Sequence, residues 1–126
     1  MADSPDRLLA AVESMIDALE TEPVLPLTEA RRLIGDDDAL FMRCLAFLRD
    51  RDLVLFVAGD ERLFHRPTLA DDVLSLLRRS GSLHLAEISR LTALPSAITA
   101  QIAGWLECEG MVTCHHDDGG VTVKAR

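Results

Sequence analysis

The sequence predicts a mainly α protein with small β-hairpins, built as two copies of one unit of about 60 residues. Three observations predict it. A gapless slide of about 58 residues lays Leu27-Thr28-Glu29-Ala30-Arg31-Arg32-Leu33 over Leu85-Ala86-Glu87-Ile88-Ser89-Arg90-Leu91, and the register holds on either side. Leu40, Cys44, Phe47 and Leu48 meet Ile98, Ile102, Trp105 and Leu106; Leu53-Val54 meets Met111-Val112; Val12, Met15, Ile16 and Leu19 meet Ala70, Val73, Leu74 and Leu77. Within each copy, apolar residues recur at spacings of three and four, the period of a half-buried helix. Each copy then closes with two strand-forming runs around a Gly- and Asp-rich turn.

Taken in order, Ser4-Pro5 reads as an N-cap followed by proline at the first helical position. Leu8, Val12, Met15, Ile16 and Leu19 make residues 5–20 an amphipathic helix. Pro23 and Pro26 end it and hold the link extended. Thr28 is placed to cap a short second helix that closes at Gly35. Asp36-Asp37-Asp38 precede a third helix, where carboxylates suit the positive end of the dipole, and Leu40, Phe41, Cys44, Leu45 and Leu48 form its buried stripe. Leu53 to Val57 and Arg62 to His65 flank Ala58-Gly59-Asp60-Glu61 as a hairpin, broken by Pro67.

The second copy replays this. Thr68 caps a helix carrying Leu69, Val73, Leu74, Leu76 and Leu77, and His84 to Leu91 form the short helix. Leu94-Pro95-Ser96 turn into a third helix that ends at Gly110. Met111 to Cys114 and Val121 to Val123 then flank Asp117-Asp118-Gly119-Gly120, a strong hairpin turn. The units are expected at residues 1–66 and 67–126.

The chain of 126 residues carries 21 acidic and 13 basic side chains, a net charge of −8. Residues 1–66 hold 14 acidic and 8 basic groups, and the remainder 7 and 5, so the acidity is concentrated in the first unit. Such a field opposes long-range approach to nucleic acid, although a local basic patch can still bind it. No apolar run approaches the roughly 20 residues of a membrane span, and the acidic start is unlike a secretory signal. Three cysteines, an odd number without a Cys-x-x-Cys pair, fit reduced thiols in a cytoplasmic protein.

Leu85-Ala86-Glu87-Ile88, Leu94-Pro95-Ser96-Ala97-Ile98-Thr99 and Trp105-Leu106-Glu107-Cys108-Glu109-Gly110-Met111-Val112 resemble the core of bacterial winged-helix regulators. The resemblance implies two tandem winged helix-turn-helix units related by the internal repeat, each with its hairpin as the wing. It also implies a third helix whose exposed face reads DNA while the wing touches phosphates. On that basis the candidate DNA contacts are Arg31, Arg32, Arg43, Arg62 and Arg66 in the first unit and Thr99 and Gln101 in the second. The second unit departs from a DNA-reading pattern. The expected exposed face of its third helix has no Lys or Arg, and its wing carries Asp117 and Asp118. The stretch Gly59-Asp60-Glu61-Arg62-Leu63-Phe64-His65-Arg66-Pro67, leading straight into the second unit, is similar in layout to the segregation and condensation protein B family. That resemblance implies a protein-binding subunit of a chromosome-organising complex.

The first hairpin is apolar on both faces and needs cover on both. Phe41, Leu55, Phe56, Val57, Phe64 and Trp105 are therefore the candidate partner interface, with packing between the two halves as the competing account. Cys108, Cys114, His115 and His116 are residue types that bind zinc. Their spacing matches no common zinc pattern, however, and adjacent histidines on a strand face opposite ways, so a polar wing tip is expected. Nothing matches a nucleophile with its base, a Gly-rich phosphate loop or a His-Glu-x-x-His helix. The expectation is a non-enzymatic chain without metal or cofactor, acting as a protein-binding adaptor or regulatory subunit, with a protein partner, a homodimer or both. A DNA-binding transcriptional regulator using mainly the first unit is the alternative. An acidic mimic of nucleic acid is disfavoured, because the 13 basic residues dilute its field.

Overall fold

The computed structural model describes residues 5–126, so the Ser4 cap lies outside the described residues. The chain divides into two compact units, Met1–Arg66 and Pro67–Arg126. The first runs α1 (Pro5–Thr21), β1 (Val24–Pro26), α2 (Leu27–Leu33), α3 (Asp38–Asp50), β2 (Val54–Leu55) and β3 (Arg62–His65). The second runs α4 (Arg66–Ser80), β4 (Ser82–His84), α5 (Leu85–Thr92), α6 (Ser96–Cys108), β5 (Val112–Asp117) and β6 (Gly120–Ala125). The offset of the sequence repeat carries β1 onto β4 and α3 onto α6 residue for residue. Each unit is a winged helix.

In the first unit Ala11, Val12, Met15 and Leu19 of α1 pack with Ala30, Leu40, Phe41, Cys44, Leu48, Val54 and Leu63. Full burial of side chains of this size is worth about 1.5–3 kcal/mol each. The second unit buries Leu69, Val73 and Leu77 of α4, Ile88 of α5, Ile98, Ile102 and Leu106 of α6, and Val112 and Val123 of its sheet. Gly110 leaves α6 at φ +74, the left-handed conformation that lets Met111 and Val112 start the wing.

Three local expectations are corrected. Each wing belongs to a three-stranded antiparallel sheet, in the orders β1-β3-β2 and β4-β6-β5, rather than standing as a two-stranded hairpin. The added strands are three residues long, and Val24↔Phe64 and Leu83↔Val123 fix their registers. The short helices begin at Leu27 and Leu85, and neither N-cap residue, Pro26 or His84, is the threonine expected for the first. Pro67 starts a helix as well as ending a strand, because α4 begins at Arg66 and proline in a first turn gives up only an N–H that has no helical partner.

Two of the three carboxylates at the start of α3 divide the work. Asp37 is the N-cap and accepts the Leu40 N–H at 3.1 Å. It also takes a 2.8 Å ion pair from Arg7 of α1. The Leu40 N–H does most to hold its carboxyl below the usual range; burial opposes this and the Arg7 guanidinium adds to it. Asp38 pairs with Arg31 of α2 at 3.5 Å.

Candidate functional site

In a winged helix the third helix and the wing bound an open groove. In the first unit Met42, Leu45, Ala46 and Arg49 of α3 face Phe56, just beyond β2, across about 210 Å³. Met42 stands 61% exposed, more than any other large apolar side chain among the described residues. It lies off the buried stripe of α3 because it follows Phe41 by one residue, about 100° round the helix. In the second unit Ala100, Ala103, Gly104 and Glu107 of α6, with Cys114 and His116 of β5, border a groove of about 310 Å³.

The two grooves are one site written twice. The repeat offset carries Met42, Leu45, Ala46, Arg49 and Phe56 onto Ala100, Ala103, Gly104, Glu107 and Cys114. Where the first groove has Met42, Leu45, Phe56 and the cation Arg49, the second has Ala100, Ala103, Cys114 and the anion Glu107. Sequence reasoning missed this pair, although the repeat register applied to the exposed positions would have found it.

The candidate DNA contacts divide. Arg31 is held by Asp38 and lies over the Phe41 ring, 5.2 Å from its centroid. Arg62 makes a two-pronged bond to Asp60, at 2.8 and 2.7 Å, and lies over Phe64. That bond lowers the Asp60 carboxyl and raises the Arg62 guanidinium from their ordinary values. Arg66 donates to the Asp52 carbonyl. Arg32 and Arg43 are exposed on α2 and α3. In the second unit Gln101 is exposed, but Thr99 is fully buried. Ser89 donates to its hydroxyl at 2.8 Å, and it donates in turn to the Pro95 carbonyl at 3.3 Å. Thr99 is a core residue that ties α5 to α6 and has no surface to offer a base edge.

Of the candidate interface residues, Phe41 and Phe64 are buried and give a partner nothing to touch. Leu55, Phe56, Val57 and Trp105 are half-buried. Phe56 lines the groove while packing partly on the first core.

Two of the three thiols are poorly placed for chemistry. Burial pushes Cys44 up to about 11. Cys114 is raised by burial and by Glu107, whose carboxylate accepts the Cys114 N–H at 3.0 Å. A thiol held protonated is a weak nucleophile and a weak ligand. Cys108 is exposed at the end of α6. Among the described residues, no three His, Cys, Asp or Glu side chains converge as metal ligands, and no helix is long and apolar enough to cross a membrane.

No protein-family model matches the chain, and no curated protein does. Among solved structures, the chain is similar to the mRNA-binding domain of elongation factor SelB from E. coli, determined in complex with SECIS RNA. The TM-score is 0.55 and the identity 12%, over 98% of this chain and 100% of that one. At that identity the likeness is one of fold, and the fold is the winged helix.

Proposed function

We propose that the chain is a non-catalytic, protein-binding adaptor that uses its wing grooves to hold a protein partner. One observation carries this: the first groove presents Met42, Leu45, Ala46 and Phe56, an apolar surface with a single guanidinium among its lining residues. Phosphate binding needs several cations together, whereas protein interfaces favour exposed Met, aromatic residues and Arg over other charges. The acidic net charge and the engagement of Arg31 and Arg62 with neighbouring carboxylates support the same reading. The resemblance to segregation and condensation protein B gives it a setting, as a regulatory subunit of a nucleoprotein or chromosome-organising assembly.

Nucleic-acid binding is the second reading. Arg32 and Arg43 are exposed on the first unit, and the SelB domain binds mRNA. Fluorescence anisotropy with a labelled DNA duplex and a labelled RNA hairpin, from about 50 to 200 mM salt, separates the two. The adaptor shows no binding at the lowest salt. Binding that weakens steeply with salt and is lost in Arg43→Ala overturns it in favour of the second reading.

A further inference from the structure

We infer that the two grooves are mates, and that each takes the other from a second copy of this chain. In this contact Met42 and Leu45 of one copy seat in the hollow of Ala100, Ala103 and Gly104 of the next, with Arg49 set against Glu107. The inference rests on the adaptor reading and names the partner of its groove.

Positions 42, 45, 46 and 49 on α3, like 100, 103, 104 and 107 on α6, form the i, i+3, i+4, i+7 diamond that receives a knob in helix packing. One diamond raises Met42, Leu45 and Arg49 around Ala46, and the other carries only Ala100, Ala103 and Gly104 beside Glu107. A knob needs a hole of the other kind, and this chain carries one of each.

Charge makes the same choice. In the parallel register that sets Arg49 against Glu107, pairing the first groove with itself opposes Arg49 to Arg49 and crowds Met42 against Met42. Pairing the second with itself opposes Glu107 to Glu107 across an unfilled hollow. Only the mixed pairing matches both size and sign, and it disfavours the alternatives by repulsion.

Gly104 supplies an independent argument. It sits inside α6, where glycine costs about 1 kcal/mol relative to alanine. A Cβ built there meets nothing within 4 Å among the described residues. Among the described residues no neighbour requires the glycine, whereas the close approach of a second copy in this contact would. Because each copy has one knob and one hole, a reciprocal dimer or a closed ring satisfies every groove.

The test is sedimentation equilibrium of the full chain from about 1 µM to 1 mM, the range in which contacts of modest size dissociate. Arg49→Glu and Glu107→Arg change exposed residues; because Glu107 also accepts the Cys114 N–H, circular dichroism and the thermal midpoint check that both variants keep the fold. The wild type self-associates with concentration, and each single variant weakens this at least about tenfold. An equimolar mixture of the two variants recovers it, because both contacts become Glu against Arg again. So does the double variant alone.

A wild type that stays monomeric throughout, single variants that associate unchanged, or a mixture that fails to recover overturns the inference. The adaptor reading is judged separately, by the nucleic-acid measurement. A monomeric chain that also ignores DNA and RNA loses this inference and keeps that reading.

Discussion

Replacing Gly104 with alanine should make the second unit more stable and the protein worse at associating. The stabilisation follows from position. Gly104 lies within α6, its backbone is helical, and a methyl group there enters open space. The gain is therefore the intrinsic helix preference, about 0.8–1.0 kcal/mol. For a cooperative unit of this size that raises the melting midpoint by roughly 4–8 °C. Trp105, the only tryptophan of the chain, follows Gly104 directly and reports melting of the second unit by fluorescence. The same methyl group fills part of the hollow meant for Met42. At the usual 1–3 kcal/mol for an added methyl group in a packed contact, self-association weakens about fivefold or more. The two readouts refute different steps. A lower midpoint shows that the glycine serves a contact within the chain, which ends the propensity argument. A higher midpoint with undiminished association shows that nothing enters the hollow.

Two further outcomes test the placement of buried polar groups. Thr99→Val keeps the shape but breaks the relay from Ser89 to Pro95; denaturant unfolding should show a loss of about 1 kcal/mol, and an unchanged midpoint would deny the relay its role. His65 is buried, and burial holds its imidazole below the ordinary value, with Arg66 assisting and Glu20 opposing. The unfolded chain therefore takes up a proton near pH 6.5 that the folded chain refuses, so stability falls as pH drops below that value, by at most about 1.4 kcal/mol per unit. His65→Gln should flatten this slope, and an equal slope in both proteins would place the sensitivity elsewhere.

The long helices were legible because their cores are periodic. Val12, Met15 and Leu19, or Ile98, Ile102 and Leu106, mark a buried face without help from the rest of the chain. Strands β1 and β4 were not, since three residues are too few for alternation to show and their stability comes from partners some 40 positions away. Thr99 misled because a hydroxyl on a third helix suggests a base contact. Yet it stands three, four and seven residues before Ile102, Ala103 and Leu106, which places it on the core face. Phe41 shares that relation with Cys44, Leu45 and Leu48. The grooves were hidden because the repeat is carried mainly by apolar core positions, whereas the divergence that matters lies nearer the surface.

The sheet orders bear on how the protein is made. In both sheets the strand synthesised last is the central one: β3 lies between β1 and β2, and β6 between β4 and β5. While a unit leaves the ribosome, its helices can form as they emerge, but its first two strands have no partner. At about 5–20 residues per second, β1 waits a few seconds for β3. A chain halted before Arg62, or one that loses Gly120–Ala125, therefore does not merely fray at an edge. It retains two strands with nothing between them, each an invitation to a neighbouring nascent chain.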